Sequence, residues 1–186
     1  MPVPTLNDHF SLFVLPQRFA LDAEALDRAY KDVQDKVHPD RFATSSPAER
    51  RVAMQWSTRA NEAFAVLRSP LRRAAYLCEL RGAPIDAESN TAMPREFMQQ
   101  QMELREALDD ATHPLDLAKV DGLCNTLERQ RDAVASRVAA AIDDQADMHA
   151  AAKLVRQWMF IERFGEDVDR VLHAAADAPA GVVKRA

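Results

Sequence analysis

KVHPDRF, residues 36–42, closes one helical pattern and turns the chain toward another. From Asp22 to Val37 the apolar positions Leu26, Ala29, Tyr30, Val33 and Val37 recur at three- and four-residue spacing, with Asp22 as the N-cap. Pro39 stops that pattern, because a proline disfavours helical backbone at the residue before it, and His38 suits the negative end of the helix dipole. Helix resumes at SSPAERR: Ser46 is the N-cap, Pro47 takes the first position and Glu49 the third, which makes a capping box. Val52, Trp56, Ala60, Ala63, Phe64 and Leu67 form one face of this helix until Ser69-Pro70 interrupts it. A shorter helix then runs to about Arg81 and ends at Gly82 and Pro84. The two long helices are antiparallel partners joined by about seven residues, and HPD stands at the hairpin tip. Ahead of them HFSLFVLP makes a short first helix, cut off by Pro16, whose Phe10, Leu12, Phe13 and Leu15 dock on the second.

Composition supports helices throughout. Of 186 residues only four are glycine and two tyrosine, against abundant Ala, Leu, Arg, Glu and Asp, so the expected class is all-α. A net charge of -5 gives no field that draws the chain to phosphate backbones or anionic lipid, so neither nucleic acid nor membrane is an expected partner. MPVPTLNDHF lacks a basic segment followed by an apolar run, and no stretch is apolar for about 18 residues, so a soluble cytoplasmic protein is expected. Cys78 and Cys124 fall within apolar patterns far apart in sequence, as buried reduced thiols would. The five histidines show no metal-ligand spacing, and no metal or cofactor is expected.

APIDAESNTAM, residues 83–93, has no periodicity and is read as a linker between a first domain, 1–82, and a second, 94–176. Pro94 opens a helix to about Asp110. Thr112-His113-Pro114 starts a long one with Val120, Leu123, Leu127, Val134, Val138 and Ile142 on one side. The chain turns back near residues 143–147, and a last helix with Leu154, Trp158, Ile161, Val168 and Leu172 on its core side closes a three-helix bundle. Residues 177–186 form a frayed tail.

The order short helix, amphipathic helix ending in HPD, third helix and small fourth helix resembles a J-domain. RANEAFAVLRSPLRRAAYL carries the likeness further, through Asn61, Ala63, Phe64, Leu67, Pro70, Arg73 and Tyr76. The resemblance implies docking on a DnaK-type chaperone and stimulation of its ATPase, with His38, Pro39 and Asp40 essential. The physics agrees: Pro39 fixes one dihedral and restricts its neighbour, so Asp40 has little freedom left to lose when a partner cation pairs with it. The family also uses basic residues along its second helix. Arg28, Lys31, Lys36 and Arg41 fill that role here, with Asp27, Asp32 and Asp35 among them making the attraction modest and salt-sensitive.

On the helix PREFMQQQMELREALDD, Phe97, Leu104 and Leu108 share a core face, while Met98 and Met102 point elsewhere and Glu103, Glu106 and Asp110 continue further round. An apolar strip edged by acids is a candidate docking surface. WMFI on the last helix cannot turn all four side chains to one core; with Trp158 and Ile161 inside, Met159 and Phe160 are left on the flanks. A J-domain followed by such a bundle, with MELREALDD after a Phe97-Met98 start, resembles the HscB co-chaperone family over nearly the whole chain. In that family the bundle binds IscU, the iron-sulfur scaffold, and hands it to the chaperone HscA. The positions this resemblance assigns to scaffold binding are Met98, Gln99, Met102, Glu103, Glu106, Asp110 and Phe160; Gln99 stands where the family has an apolar residue and Asp110 where it has a longer acid. Some family members carry an N-terminal zinc segment, which this chain lacks. The implied role is an adaptor without catalysis of its own, and the alternative is a generic J-protein that grips unfolded clients. His38 and Asp40 as an acid-base pair would have no pocket, nucleophile or metal beside them.

Overall fold

The computed structural model describes residues 8–42, 46–85 and 93–177, and every regular element among them is helical. The tip connection at 43–45, most of the expected linker and nearly all of the expected tail lie outside the described residues. Two compact units emerge: one from the described residues up to Pro84 together with Val138–Ala152, the other from Ile85–Arg137 together with Lys153 onward.

In the first unit, α1 (His9–Leu12) is a single turn capped by Asp8, whose carboxylate accepts from the Phe10 and Ser11 amides at 2.8 and 2.9 Å. α2 (Ala23–Val37) starts on Asp22, and α3 (Pro47–Arg68) on the Ser46–Glu49 capping box, both at the residues the sequence indicates. They are antiparallel: Asp27 pairs with Arg68 at 2.6 Å, Tyr30 stacks on Phe64 and donates to Asn61, and Gln34 reaches Asn61 as well. Ser69 both ends α3 and caps α4 (Pro70–Leu80).

Three details differ from the pattern read in the sequence. α1 packs chiefly on α3 rather than α2: Phe10 is fully buried, the His9 ring stacks on Tyr76 of α4 at 4.3 Å, and the C-cap Phe13 meets Tyr30 of α2 edge-on. α1 buries both Phe10 and Leu12, and the His9–Tyr76 ring stack ties it to α4. On α3 the buried set is Ala53, Ala60, Ala63 and Leu67, while Val52 is 51% exposed. Thirdly, the unit takes in residues 138–152, which periodicity alone assigns to the bundle. Here a π-helical turn, Ala140–Asp144, presents the Asp143 carboxylate to the Phe19 and Ala20 amides, both at 2.8 Å. Arg81 donates to the carbonyls of Gln17 and Ile142. Buried Arg73 lies over Phe19 and donates to the Leu67 carbonyl; burial lowers its pKa, and the Asp143 charge opposes that shift. The loop before α2 has amide donors with no helix to satisfy them, and Asp143 supplies the acceptors.

The second unit holds most of three helices: α5 (Arg95–Thr112), α6 (Leu117–Ala139) and α7 (Met148–Asp177). α6 begins three residues after Pro114, because Asp116 accepts from Lys119 N and so acts as the cap, while Thr112 still belongs to α5. α6 and α7 are antiparallel, as the bidentate pair of Arg131 and Glu162 and the approach of Leu127 to Gly165 show. A Cβ on Gly165 would lie 2.6 Å from the Arg131 guanidinium, so glycine permits this close passage. α5 and α7 run parallel, with Phe97 against Phe160 and Arg105 at 3.9 Å from Asp167. The core is built from Leu108, Val120, Leu123, Leu127, Val134, Val155, Trp158, Ile161, Phe164 and Val168. Phe97 and Leu104 are only half-buried, and Gln101 sits fully inside on the same face. Ile85, read as linker, is buried, and Arg156 donates to its carbonyl at 2.9 Å. Ala83, from the same stretch, is buried too.

Candidate interaction sites

α2 ends on His38, whose ψ of 127° takes the chain out of the helix, and Pro39–Phe42 forms one 3-10 turn. The turn is closed by Arg41 N donating to the His38 carbonyl at 3.0 Å and by Asp40 N donating to His38 Nδ1 at 3.3 Å. The Asp40 carboxylate, 3.5 Å from the same nitrogen, is 90% exposed. Its backbone is therefore held from two sides while its charge faces solvent, and a partner cation can reach it with little ordering cost. Arg41 donates to the Asp35 carbonyl and so fastens the corner to the last turn of α2.

The four cations expected beside the corner divide into two kinds. Arg28 is held by Asp22 and Glu24 at the start of its own helix, at 3.9 and 3.4 Å, and Arg41 is held as just described. Lys31 and Lys36 are exposed, and neither forms an ion pair among the described residues. Behind the corner lies an apolar groove of about 860 Å³ between α2 and α3, with Val33, Val37, Val52 and Trp56 in its walls and Val14 at its edge.

The bundle site stands on α5. Met98 is 38% and Met102 60% exposed, and Gln99, Glu103, Glu106 and Asp110 are exposed as well. Gln99 donates to Glu103 at 2.9 Å, a link between successive turns that holds both amide and acid on the outer side. Phe160 is half-buried, edge-on to Phe97 at a centroid distance of 6.4 Å, with the Arg163 guanidinium 5.9 Å from its ring centre.

The parallel register joins these pieces. Met98, Met102 and Arg105 lie on one flank of α5 at helical spacing, and Arg105 meets Asp167 of α7. Phe160, Arg163 and Asp167 form the matching flank of α7, so both methionines border the α5–α7 seam. Glu103, Glu106 and Asp110 line the far edge of the strip, about 40 to 140° further round the helix. The geometry thus brings Met98, Met102 and Phe160 to one seam and leaves the acids at the opposite margin. Sequence reading did not single out Arg163, although it lies three residues after Phe160, a spacing that puts two helical side chains on one face.

Two sequence expectations concern groups away from these sites. Cys78 is buried and Cys124 half-buried, both unbridged; burial, with Asp121, Asp169 and Glu128 nearby, raises the Cys124 pKa. Among the described residues no set of three or more His, Cys, Asp or Glu side chains is placed to hold a metal ion, and no helix is long and apolar enough to cross a membrane.

Comparison with known proteins places these features in context. Residues 93–169 match the family described as HSCB C-terminal oligomerisation domain. The chain is 52% identical to a co-chaperone protein HscB homolog of Bordetella avium, over 89% of this chain and 97% of that one. It is 50% identical to a homolog of the same name from Bordetella petrii, over 94% and 98%. Among solved structures it is similar to the chaperone HscB from Vibrio cholerae, with a TM-score of 0.84, 33% identity and coverage of 90% of this chain and 99% of that one. Human co-chaperone protein HscB gives a TM-score of 0.83 at 28% identity, covering 91% and 83%.

Proposed function

Because the chain belongs to the HscB co-chaperone family, we propose that it stimulates the ATPase of the DnaK-type chaperone HscA and delivers the scaffold IscU to it during iron-sulfur cluster maturation in the cytoplasm. The observation that carries this reading is the Asp40 carboxylate, 90% exposed on a turn whose backbone is already fixed. A charge-assisted hydrogen bond from a partner arginine then contributes about 1.5 to 3 kcal/mol, with little entropy spent on ordering the acceptor. His38 orients the turn by accepting from the Asp40 amide, and Lys31 and Lys36 supply long-range attraction to an acidic partner face. Arg28 and Arg41 act mainly within the hairpin, since their guanidinium groups are already engaged.

Met98, Met102 and Phe160 give the scaffold an apolar contact, and Gln99, Glu103, Glu106 and Asp110 a polar, mostly acidic border. The adaptor needs no chemistry of its own: holding motor and cargo on one chain raises their effective concentration. The test is ATP turnover by HscA with IscU and increasing amounts of this protein. Wild type is expected to stimulate and Asp40→Asn to stimulate little; equal stimulation by both variants refutes docking through the corner. A generic J-protein for unfolded clients would instead lose refolding activity with Met102→Lys while keeping its affinity for the scaffold.

A further inference from the structure

The α5–α7 seam carries one cation that the scaffold-binding assignment does not include. Arg163 is exposed, lies over the Phe160 ring at 5.9 Å and forms no ion pair among the described residues. Two acids on its own helix are engaged elsewhere, Asp167 by Arg105 and Arg170 and Glu162 by Arg131 in a bidentate pair, and the exposed Glu166, three residues on, forms no ion pair with Arg163. A guanidinium resting on an aromatic face keeps its planar donors directed outward and loses little freedom when it binds. It therefore stands as an oriented positive group on an apolar seam whose far margin, along Glu103, Glu106 and Asp110, is negative.

We propose that Arg163 is a specificity-determining residue of the cargo surface, pairing with a carboxylate of the scaffold and fixing the direction in which the scaffold lies across α5. This rests on the reading that the methionine strip binds the scaffold. A partner that is basic throughout satisfies the acidic margin but is repelled at Arg163, whereas one with a carboxylate set apart from its basic residues satisfies both edges in a single orientation. Like-charge contact at the seam then rejects the reversed pose and the wrong partner alike.

The experiment is calorimetric titration of the full chain with purified IscU at about 50 and about 300 mM salt, for wild type, Arg163→Glu, Arg163→Lys and Met102→Lys. Arg163→Glu is expected to weaken binding by about tenfold or more at low salt and by clearly less at high salt, with an unchanged melting temperature. Arg163→Lys, which keeps the charge and loses the planar fork, is expected to fall between Arg163→Glu and wild type. If Arg163→Glu binds within about twofold of wild type while Met102→Lys binds weakly, the role of Arg163 is overturned and the cargo surface stands. If Met102→Lys also binds like wild type, the cargo surface itself is misplaced and the proposal falls with it. A loss of affinity of equal size at both salts, or one that follows a fall in melting temperature, shows a packing role and overturns the pairing.

Discussion

Replacing Val14 with glycine should stabilise the protein, although it removes a valine. α1 ends in a paired arrangement of hydrogen bonds in which Leu15 N donates to the Phe10 carbonyl at 3.0 Å and Val14 N to Ser11 at 3.2 Å. That Schellman geometry forces the residue after the cap into left-handed backbone, where glycine is the usual occupant. Here Val14 has φ 55°. α4 ends in the same pattern, from Ala83 N to Cys78 and from Gly82 N to Glu79, with Gly82 at φ 80° in the equivalent place. Left-handed backbone costs a residue with a Cβ about 1 to 2 kcal/mol, and a β-branched one stands at the upper end. Glycine gives back about 0.4 to 1 kcal/mol through the greater freedom of its unfolded chain. Val14 is 86% exposed, so the side chain's own burial adds only a few tenths of a kcal/mol. The net expectation for Val14→Gly is a gain of about 0.5 to 1 kcal/mol, read as a higher urea midpoint at unchanged slope. Val14→Ala decides the cause: in left-handed backbone glycine must be the more stable of the two variants, and in other regions alanine. Gly82→Ala is the mirror test, expected to cost about 1 kcal/mol, since nothing lies within 4 Å of the added Cβ and only backbone conformation is at issue. An alanine variant at position 14 more stable than the glycine one would refute the account.

Three further perturbations probe other parts of the fold. Gln101→Leu is expected to raise stability by about 1 to 3 kcal/mol in chemical denaturation, because both polar atoms of its amide are buried with no hydrogen-bond partner among the described residues; a loss would show that the amide is hydrogen-bonded in solution. Asp143→Ala removes the acceptor for the Phe19 and Ala20 amides and should cost about 2 kcal/mol, with faster hydrogen exchange at those two amides; unchanged exchange would argue against these two hydrogen bonds. His9 should titrate below the ordinary histidine value, because burial against Tyr76 disfavours its charged form. The unfolded chain then binds the proton more readily than the folded one. The resulting stability is complete above the unfolded value near 6.5 and declines as pH falls from there through the depressed folded value, which an NMR titration of His9 and a pH series of urea midpoints would show together.

The elements readable from sequence were those whose determinants are local. Asp22, the Ser46–Glu49 box, Ser69-Pro70 and Gly82 each act within a few residues, and each marks a helix end in the structure. What could not be read depends on distant groups. Asp143 lies 124 residues from the amide it satisfies at Phe19, and no periodicity signals such a bond. On α3 a search for large apolar residues picks Val52, whereas the wheel puts the smaller, buried Ala53 nearer the centre of the face shared by Ala60 and Leu67. Gln101 lies on the same face as Phe97, Leu104 and Leu108, but its polarity hid it from a search for apolar positions.

The candidate interaction residues stood out in the sequence for a related reason. Each candidate departs from the pattern of its own element, Met98 and Met102 as exposed apolar residues on the polar side of α5 and Asp40 as an exposed acid directly after a helix-stopping proline. Such contradictions identify residues one at a time; they do not reveal which helices lie side by side. The pairing of Phe97 with Phe160 and of Arg105 with Asp167 sets the α5–α7 register, and that register puts Arg163 on the same flank of α7 as Phe160 and Asp167. A basic residue on a helix is unremarkable in sequence, because an exposed charge agrees with every local rule. It gains meaning from its surroundings: an aromatic ring beneath it, and across the seam an apolar strip with a margin of opposite sign. Binding specificity is the part of function least visible in one dimension, since it depends on the spacing between charges carried by different helices.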